Sequence, residues 1–547
     1  MKAYAPDEEV DFVVVGSGAA GGVMARELAR AGHSVVILER GPHLKQQDFK
    51  HDEYAHYFND ELASPAGSPP QSFRASAQDK AVADGSNPMW YAQCVGGSSV
   101  HFTANFWRFH PVDFHEHSLL GDIPGADLRD WPISYDELEP YYTKVEWEIG
   151  VSGLAGAHPN EPYRSKPYPM PPLPVKSSGV LFEKGAFELG LNPFPAPMAI
   201  NSVPYDSRPG CVHCGFCMGF GCEVGAKSST LFSMIPQALA TGNCELRADA
   251  SVVRVETNST GRATGVVYYT NGSTYKQNAK AVVVCANGAE TTRLLLISES
   301  NAFPDGLANT SGTVGKYIML NGGGAAGAVF EHALNEYKSV QVTRVLHDFY
   351  DTDLRRGFYG GGGIDARVMF GPIQYARAGI PPDVPTWGAQ YKAALRDYPN
   401  FTLSSTHSTS LAVATNAVSL DHNIKDEYGL PGITLTYADH PHDLATSRFL
   451  IDRAAEILDA AGAEKVWKLP VASQTSGAHF LGTCRMGNDP GRSVVDRYHR
   501  THDVANLFLC DGSSLVTSGR GQPTQTIQAL AFRAAEHISR FARAGEI

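Results

Sequence analysis

No stretch of the 547-residue chain reaches the roughly 18 consecutive apolar residues that a membrane-spanning helix needs, so no segment reads as a membrane span. The amino terminus, MKAYAPDEEVDF, is acidic and lacks the basic stretch and apolar core of an export signal, so export is expected to depend on another chain. A basic excess is missing too. Lys and Arg number 45 against 57 Asp and Glu, a formal net charge of −12, which argues against nucleic acid or an anionic membrane as the main partner. No repeat of roughly 20–50 residues recurs, and low complexity is limited to the glycine run Gly360–Gly363. Cysteine is scarce at nine residues, yet Cys211, Cys214, Cys217 and Cys222 share one loop, GCVHCGFCMGFGCEVGAKSST. The remaining composition, 43% hydrophobic and 19% charged, is that of a globular protein with a sizeable core, and the length allows several domains.

The first ordered unit is DFVVVGSGAAGGVMARELARAGHSVVILERG. An apolar run over Val13, Val14 and Val15 leads through a glycine turn into a helical pattern, with Met24, Leu28 and Ala31 on one face, and then into the second run, SVVILE. This predicts a βαβ unit opening a dinucleotide-binding sheet. Gly16, Gly18 and Gly21 supply G-x-G-x-x-G. The first permits the tight turn, the second lets a pyrophosphate approach the backbone, and the third lets helix and strand pack closely. The phosphates then meet free N–H groups at a helix N-terminus. Glu39, 18 residues beyond Gly21, stands where a carboxylate can accept both ribose hydroxyls.

Further along, CELRADASVVRVETNSTGRATGVVYYTNGSTYKQNAKAVVVCANGAE predicts short strands separated by NST and NGST turns. From about residue 311 to 470, aromatic and β-branched runs alternate with long loops, as in a separate substrate-facing domain. NLFLCDGSSL returns to a short strand ending at Asp511–Gly512. Pro523 then opens a helix whose buried face is Ile527, Leu530, Ala531, Ala534, Ile538 and Phe541. The nucleotide-binding sheet is expected to draw its last strand from here. The cysteines read C-x2-C-x2-C-x4-C, and tight turns of this kind let successive thiolates converge on an iron–sulfur cluster. Zinc is the rival reading, although it favours two well-separated pairs. Disulfides are disfavoured because neighbouring thiols this dense would compete for partners.

Four blocks in order resemble the glucose–methanol–choline flavoprotein oxidoreductases: the fingerprint with Glu39; CVGGSSVHFTANFWRF; ANGAETTRLLLISES, with Thr292–Arg293 where Ser/Thr-Pro is common; and HFLGTCRMG followed by DGSSLVTSGRGQPTQTIQAL. The resemblance implies an α/β fold, with a discontinuous Rossmann-like FAD-binding domain beside a sheet-rich substrate-binding domain. Residues 1–310 and 475–547 would form the first, with a cluster loop at 206–228, and residues 311–474 mainly the second. FAD contacts are implied for Gly96, Gly97, Ser98, Asp511, Gly512, Pro523 and Thr524. His101 stands where some relatives attach FAD covalently; a histidine that only packs beside the flavin fits equally. His479 matches the active-site histidine, and an imidazole suits the task of taking a hydroxyl proton while hydride passes to flavin. Gln522 stands where many relatives carry His or Asn. It cannot act as a base but can hydrogen-bond a developing alkoxide.

Within the family, the cysteine cluster resembles the catalytic subunits of bacterial FAD glucose, fructose, gluconate and glucoside 3-dehydrogenases. That branch implies a [3Fe–4S] or [4Fe–4S] cluster on Cys211, Cys214, Cys217 and Cys222, and oxidation of a sugar or glycoside, with the 3-position of glucosides favoured. It further implies a small companion subunit with a twin-arginine signal, a cytochrome c acceptor and co-export to the periplasm; a cytoplasmic enzyme with a soluble acceptor is the alternative. A hydrogen-peroxide-producing oxidase and a lyase are the rival functions.

Overall fold

The computed structural model describes residues 3–5, 7–59, 62, 68–85, 87–367 and 371–547. The strand Val10–Val15 has five of its six side chains buried. It lies between Val35–Leu38 and Ser273–Val284, parallel to both, with Val13 opposite Val36 and Val282. A parallel strand covered on both faces needs an unbroken apolar run, which is why this stretch does not alternate. The sheet runs Cys244–Arg247, Val35–Leu38, Val10–Val15, Ser273–Val284, Ala263–Thr270, Ser251–Thr257. Ser273–Val284 changes partners midway. Its exposed first half runs antiparallel to Ala263–Thr270, and its buried second half is parallel to both Val10–Val15 and Leu507–Leu509. The late strand expected from NLFLC therefore does join the first sheet.

The helix Ala19–Arg30 buries Met24 and Leu28 and packs along the final helix, Thr524–Arg543. Of the expected apolar face of that final helix, Leu530, Ala531, Ala534 and Ile538 are buried, while Ile527 and Phe541 lie partly covered at its edge. Pro523 caps the helix and does not lie inside it.

The second sheet has six strands in the order Lys465–Lys468, Gly322–Val329, Phe401–Ser408, Gly362–Arg367, Val342–Leu346, Phe194–Pro195, each antiparallel to its neighbours. Five come from the region read as loosely patterned; Phe194–Pro195 comes from much earlier in the chain. The helix Pro441–Ala460 covers one face, with Leu450, Ala454 and Ile457 against Ala326, Ala328 and Ile364. Gly363, Asp365 and His407 occupy the other face, where Trp107 of the nucleotide-binding unit meets the His407 ring at 4.9 Å.

Close backbone approach decides two glycines. At Gly21 a Cβ would fall on the carbonyl oxygen of Gly16, so only glycine lets the first helix sit against the turn. Gly97 has φ +52°, and a Cβ there would lie 2.8 Å from the Cα of Gly18. The two glycine turns thus touch backbone to backbone. Gly97→Ala should destabilise the nucleotide-free protein by roughly 1–3 kcal/mol, read as a lowered Tm. Gly18→Ala, whose Cβ would meet nothing nearer than 3.9 Å, should leave that Tm unchanged. Equal Tm values for both variants would contradict the backbone contact.

Candidate active site

A cavity of about 1030 Å³ runs from the fingerprint turn to His479. Gly16, Gly18, Glu39, Gly97 and Ser98 line one end, whereas Gly21 and Gly96 pack behind its wall. Ser17 knits this end together. Its hydroxyl donates to Glu39 Oε2 at 2.6 Å and accepts from the Gly96 N–H at 3.0 Å, while its own N–H reaches the same carboxylate oxygen. Burial pushes the Glu39 carboxyl up, against the pull of Ser17 and Gly41. Oε2 is thereby filled by Ser17, and Oε1, bonded among the described residues only to the Gly41 N–H at 3.1 Å, keeps acceptor capacity. The expectation that this carboxylate takes two ribose hydroxyls therefore narrows to Oε1. Beyond it, Glu290 accepts from Arg40 at 3.0 Å and from the Tyr91 hydroxyl at 2.6 Å. Burial opposes its charge, but Arg40 and Arg293 hold it at about 2. Arg40 and Glu290 lie in two of the quoted blocks, but nothing in the sequence pairs them with each other or with Tyr91.

The cavity suits a dinucleotide on observations of its own. The open side of Gly18 faces it, and the N-terminus of the final helix enters it at Pro523 and Thr524. Asp511 and Gly512 line it; the Asp511 carboxylate accepts from the Ser513 N–H at 2.8 Å and the Thr291 hydroxyl at 2.6 Å. His101 also lines it. Its Nε2 has no protein partner among the described residues, and burial with the nearby Lys227 charge depresses its pKa to about 3.

His479 and Gln522 line the far end. His479 Nδ1 lies 2.9 Å from Asn321 Oδ1. The Asn321 amide nitrogen donates to the carbonyls of Ser408 and Ser518 at 3.3 and 3.2 Å, which fixes the amide with its oxygen toward the ring. An oxygen facing Nδ1 requires a proton there, so the lone pair of the neutral ring is on Nε2. Burial, then the Arg367 charge and His407, lowers the His479 pKa to about 4. The ring is a neutral base of fixed tautomer at ordinary pH. Asn321 was not singled out from sequence. In the structure it takes a left-handed φ of +58°, a conformation that asparagine tolerates, and nothing in the sequence links it to His479.

The loop carrying Gln522 is held from below. Arg520, fully buried, pairs with Asp113 and Glu116, donates to the Thr352 hydroxyl at 3.2 Å and lies against the Tyr350 ring. Above it, Gly521 abuts the His407 ring, whose Nδ1 is 3.5 Å from Asp365; the same carboxylate accepts from Arg367 Nε at 2.9 Å.

The cysteine loop reaches the cavity through Met218 and Gly219, and the Gly219 N–H donates to the His101 carbonyl at 2.7 Å. Gln341 pins it, accepting from the N–H groups of Cys217 and Met218 and donating to the Gly215 carbonyl at 2.8 Å. All four thiols are free, with Cys217 buried and the others half-buried. Among the described residues, no three His, Cys, Asp or Glu side chains gather closely enough for one metal ion. The thiols are still electrostatic neighbours: burial pushes Cys217 up to about 12 against the pull of Lys227, and Cys211, Cys214 and Cys222 add to the push.

A dinucleotide cradle that opens onto a neutral, oriented base is the working arrangement of a flavin-dependent oxidoreductase acting on hydroxyl groups. Comparison with known proteins agrees. The chain belongs to the GMC oxidoreductase family, whose amino-terminal model matches residues 10–316 and whose carboxy-terminal model matches residues 412–531. It is 36% identical to 2-methyl-1,2-propanediol dehydrogenase of Mycolicibacterium austroafricanum, over 97% of this chain and 96% of that one. It is 31% identical to the fructose dehydrogenase large subunit of Gluconobacter japonicus, over 96% and 97%. Among solved structures, pyridoxine 4-oxidase from Mesorbium loti superposes with a TM-score of 0.65 at 17% identity, over 96% and 98% of the two chains, a likeness of fold alone. FAD is the cofactor the family implies, and the cavity fits it.

His479→Ala should lower turnover by roughly 10²–10⁴-fold with FAD content retained. In the wild type, kcat/KM should hold steady from neutral pH and fall only as pH approaches about 4, where His479 gains its proton. An acid limb at the ordinary histidine value would mean that His479 is not the depressed base described.

Proposed function

We propose that this protein is an FAD-dependent dehydrogenase that oxidises one hydroxyl of a sugar or glycoside, the 3-position of a glucoside being the first choice. The observation that carries the reading is the Asn321–His479 hydrogen bond, which leaves Nε2 as the acceptor of a hydroxyl proton. FAD, when bound, supplies the hydride acceptor. Gln522 donates an amide hydrogen to the developing alkoxide, and the N-terminus of Thr524–Arg543 contributes its positive end. After proton transfer the imidazolium keeps its Asn321 contact, so the ring stays oriented for the return step. A small vicinal diol is a second reading, favoured by the 36% identical relative named for 2-methyl-1,2-propanediol. Glucosides, fructose and that diol share adjacent hydroxyls.

The cysteine loop is proposed to bind an iron–sulfur cluster through Cys211, Cys214, Cys217 and Cys222. A single zinc ion needs its ligands within one small sphere, which these thiols do not form. A cluster, whose irons each take their own cysteine, spans a wider set. Such a cluster would supply one-electron transfer out of the flavin and favour a dehydrogenase over an oxidase. A companion subunit carrying a twin-arginine signal, a cytochrome c acceptor and a periplasmic site of action complete the proposal; the relative named as a large subunit supports a companion. Expressing the chain with and without such a companion and fractionating the cells tests that part, and activity confined to the cytoplasm in both cases would refute it.

Anaerobic mixing with methyl glucoside should bleach the flavin absorbance; bleaching by 1,2-propanediol alone would select the second reading, and no bleaching by any sugar or polyol would favour a lyase. Cys217→Ser should lose iron yet keep that bleaching. Wild-type protein purified anaerobically without iron, turning over oxygen to peroxide, would make the chain an oxidase.

A further inference from the structure

Lys227 is fully buried between the cavity wall and the cysteine loop. Its Nζ donates to the carbonyls of Phe102 at 3.0 Å, Cys217 at 2.7 Å and Phe220 at 2.7 Å. Three carbonyl acceptors around one nitrogen use all three hydrogens of an ammonium, where a neutral amine has only two to give. Among the described residues it forms no ion pair with a carboxylate, and its nearest aromatic ring is Phe102, at 5.8 Å from the centroid. A buried, desolvated charge is costly unless an opposite charge faces it. Two other buried cations follow that rule: Arg108 is matched by Glu139 and Glu146, and Arg520 by Asp113 and Glu116. Lys227, like the buried Arg208, pairs with no carboxylate among the described residues, and its three hydrogen-bond partners are all carbonyls.

The position explains what the charge faces. Phe102 belongs to the segment that walls the cavity, and Cys217 and Phe220 belong to the cysteine loop, so one side chain fastens the loop to the cofactor wall. Burial works against its charge, and the groups that support it are the sulfurs of Cys217, Cys222 and Cys214. These become anionic once they ligate metal, because thiolate and not thiol is the ligand form.

We propose that Lys227 is the positioning residue and counter-charge of the cysteine loop: it holds the loop against the cofactor wall and offsets the negative charge of the metal-bound thiolates. This rests on the reading that the loop binds an iron–sulfur cluster. A fixed positive charge beside a cluster favours its reduced, more negative form, so the cluster is kept at a potential that the flavin can reach.

The test compares wild type with Lys227→Met, which keeps length and loses charge, and Lys227→Arg, which keeps charge. All are purified anaerobically, assayed for FAD, iron and labile sulfide, and titrated potentiometrically with electron paramagnetic resonance detection. Lys227→Met should keep FAD and its bleaching by substrate. Its cluster should be partly lost, or retained with at least a tenfold lower reduced-to-oxidised ratio at a given potential, about 59 mV for one electron. Lys227→Arg should stay close to wild type. Should Lys227→Met fail to fold, Lys227→Gln and Lys227→Arg carry the comparison. A neutral variant with wild-type iron content and potential overturns the inference while leaving the cluster intact. Wild-type protein without iron overturns the cluster reading, and this inference with it.

Discussion

The buried guanidinium of Arg520 is the constraint on which the rest of the molecule depends. It precedes the loop that presents Gln522, and its partners come from two separate parts of the chain: Asp113 and Glu116 beyond the cavity-wall segment, and Thr352 and Tyr350 beside the second sheet. Burial pushes the carboxyls of Asp113 and Glu116 up while Arg520 pulls them down, and Tyr350 and Tyr359 donate their hydroxyls to the same acids. Removing one member of such a set strands the others, at a cost of about 3–5 kcal/mol. The cluster ties the Gln522 loop to the segment that follows the cavity wall and to the loop beside the second sheet.

Around the far end of the cavity the design is the reverse, with the proposed base itself neutral. His479 is oriented by an amide and not by a carboxylate, and the acid in the neighbourhood, Asp365, is already engaged by Arg367 and His407. A carboxylate on Nδ1 would make the ring more basic but would also hold the imidazolium after proton transfer. An amide fixes the tautomer without trapping the charge. The nearby Arg367 acts in the same direction, since positive charge discourages a proton from staying. The site thus trades basicity for release.

What could be read from sequence follows from where the partners lie along the chain. The fingerprint glycines, Glu39, His479 and the cysteine loop each sit in a contiguous motif, because a turn, a strand end or a tight loop brings their chemistry together locally. Asn321 lies 158 residues from His479, and Asp113 lies 407 from Arg520, so no local pattern announces either pair. The second sheet was recognised only as a loosely patterned region. The strand FTLSSTHS is buried at every position yet carries mostly hydroxyl side chains, which neither alternation nor an apolar run would reveal. Phe194–Pro195, its distant edge strand, is two residues long and has no periodicity to detect.

The partner exchange within Ser273–Val284 bears on how the protein is made. During synthesis from the amino terminus, Val282, Val283 and Val284 can pair with Val10–Val15 as soon as they emerge, but their other edge has no neighbour until Leu507–Leu509 arrives more than two hundred residues later. For that interval the nascent chain carries an open, wholly apolar strand edge, the kind of template that recruits foreign strands. Ribosome pausing or early termination anywhere between the two strands would release chains with that edge exposed.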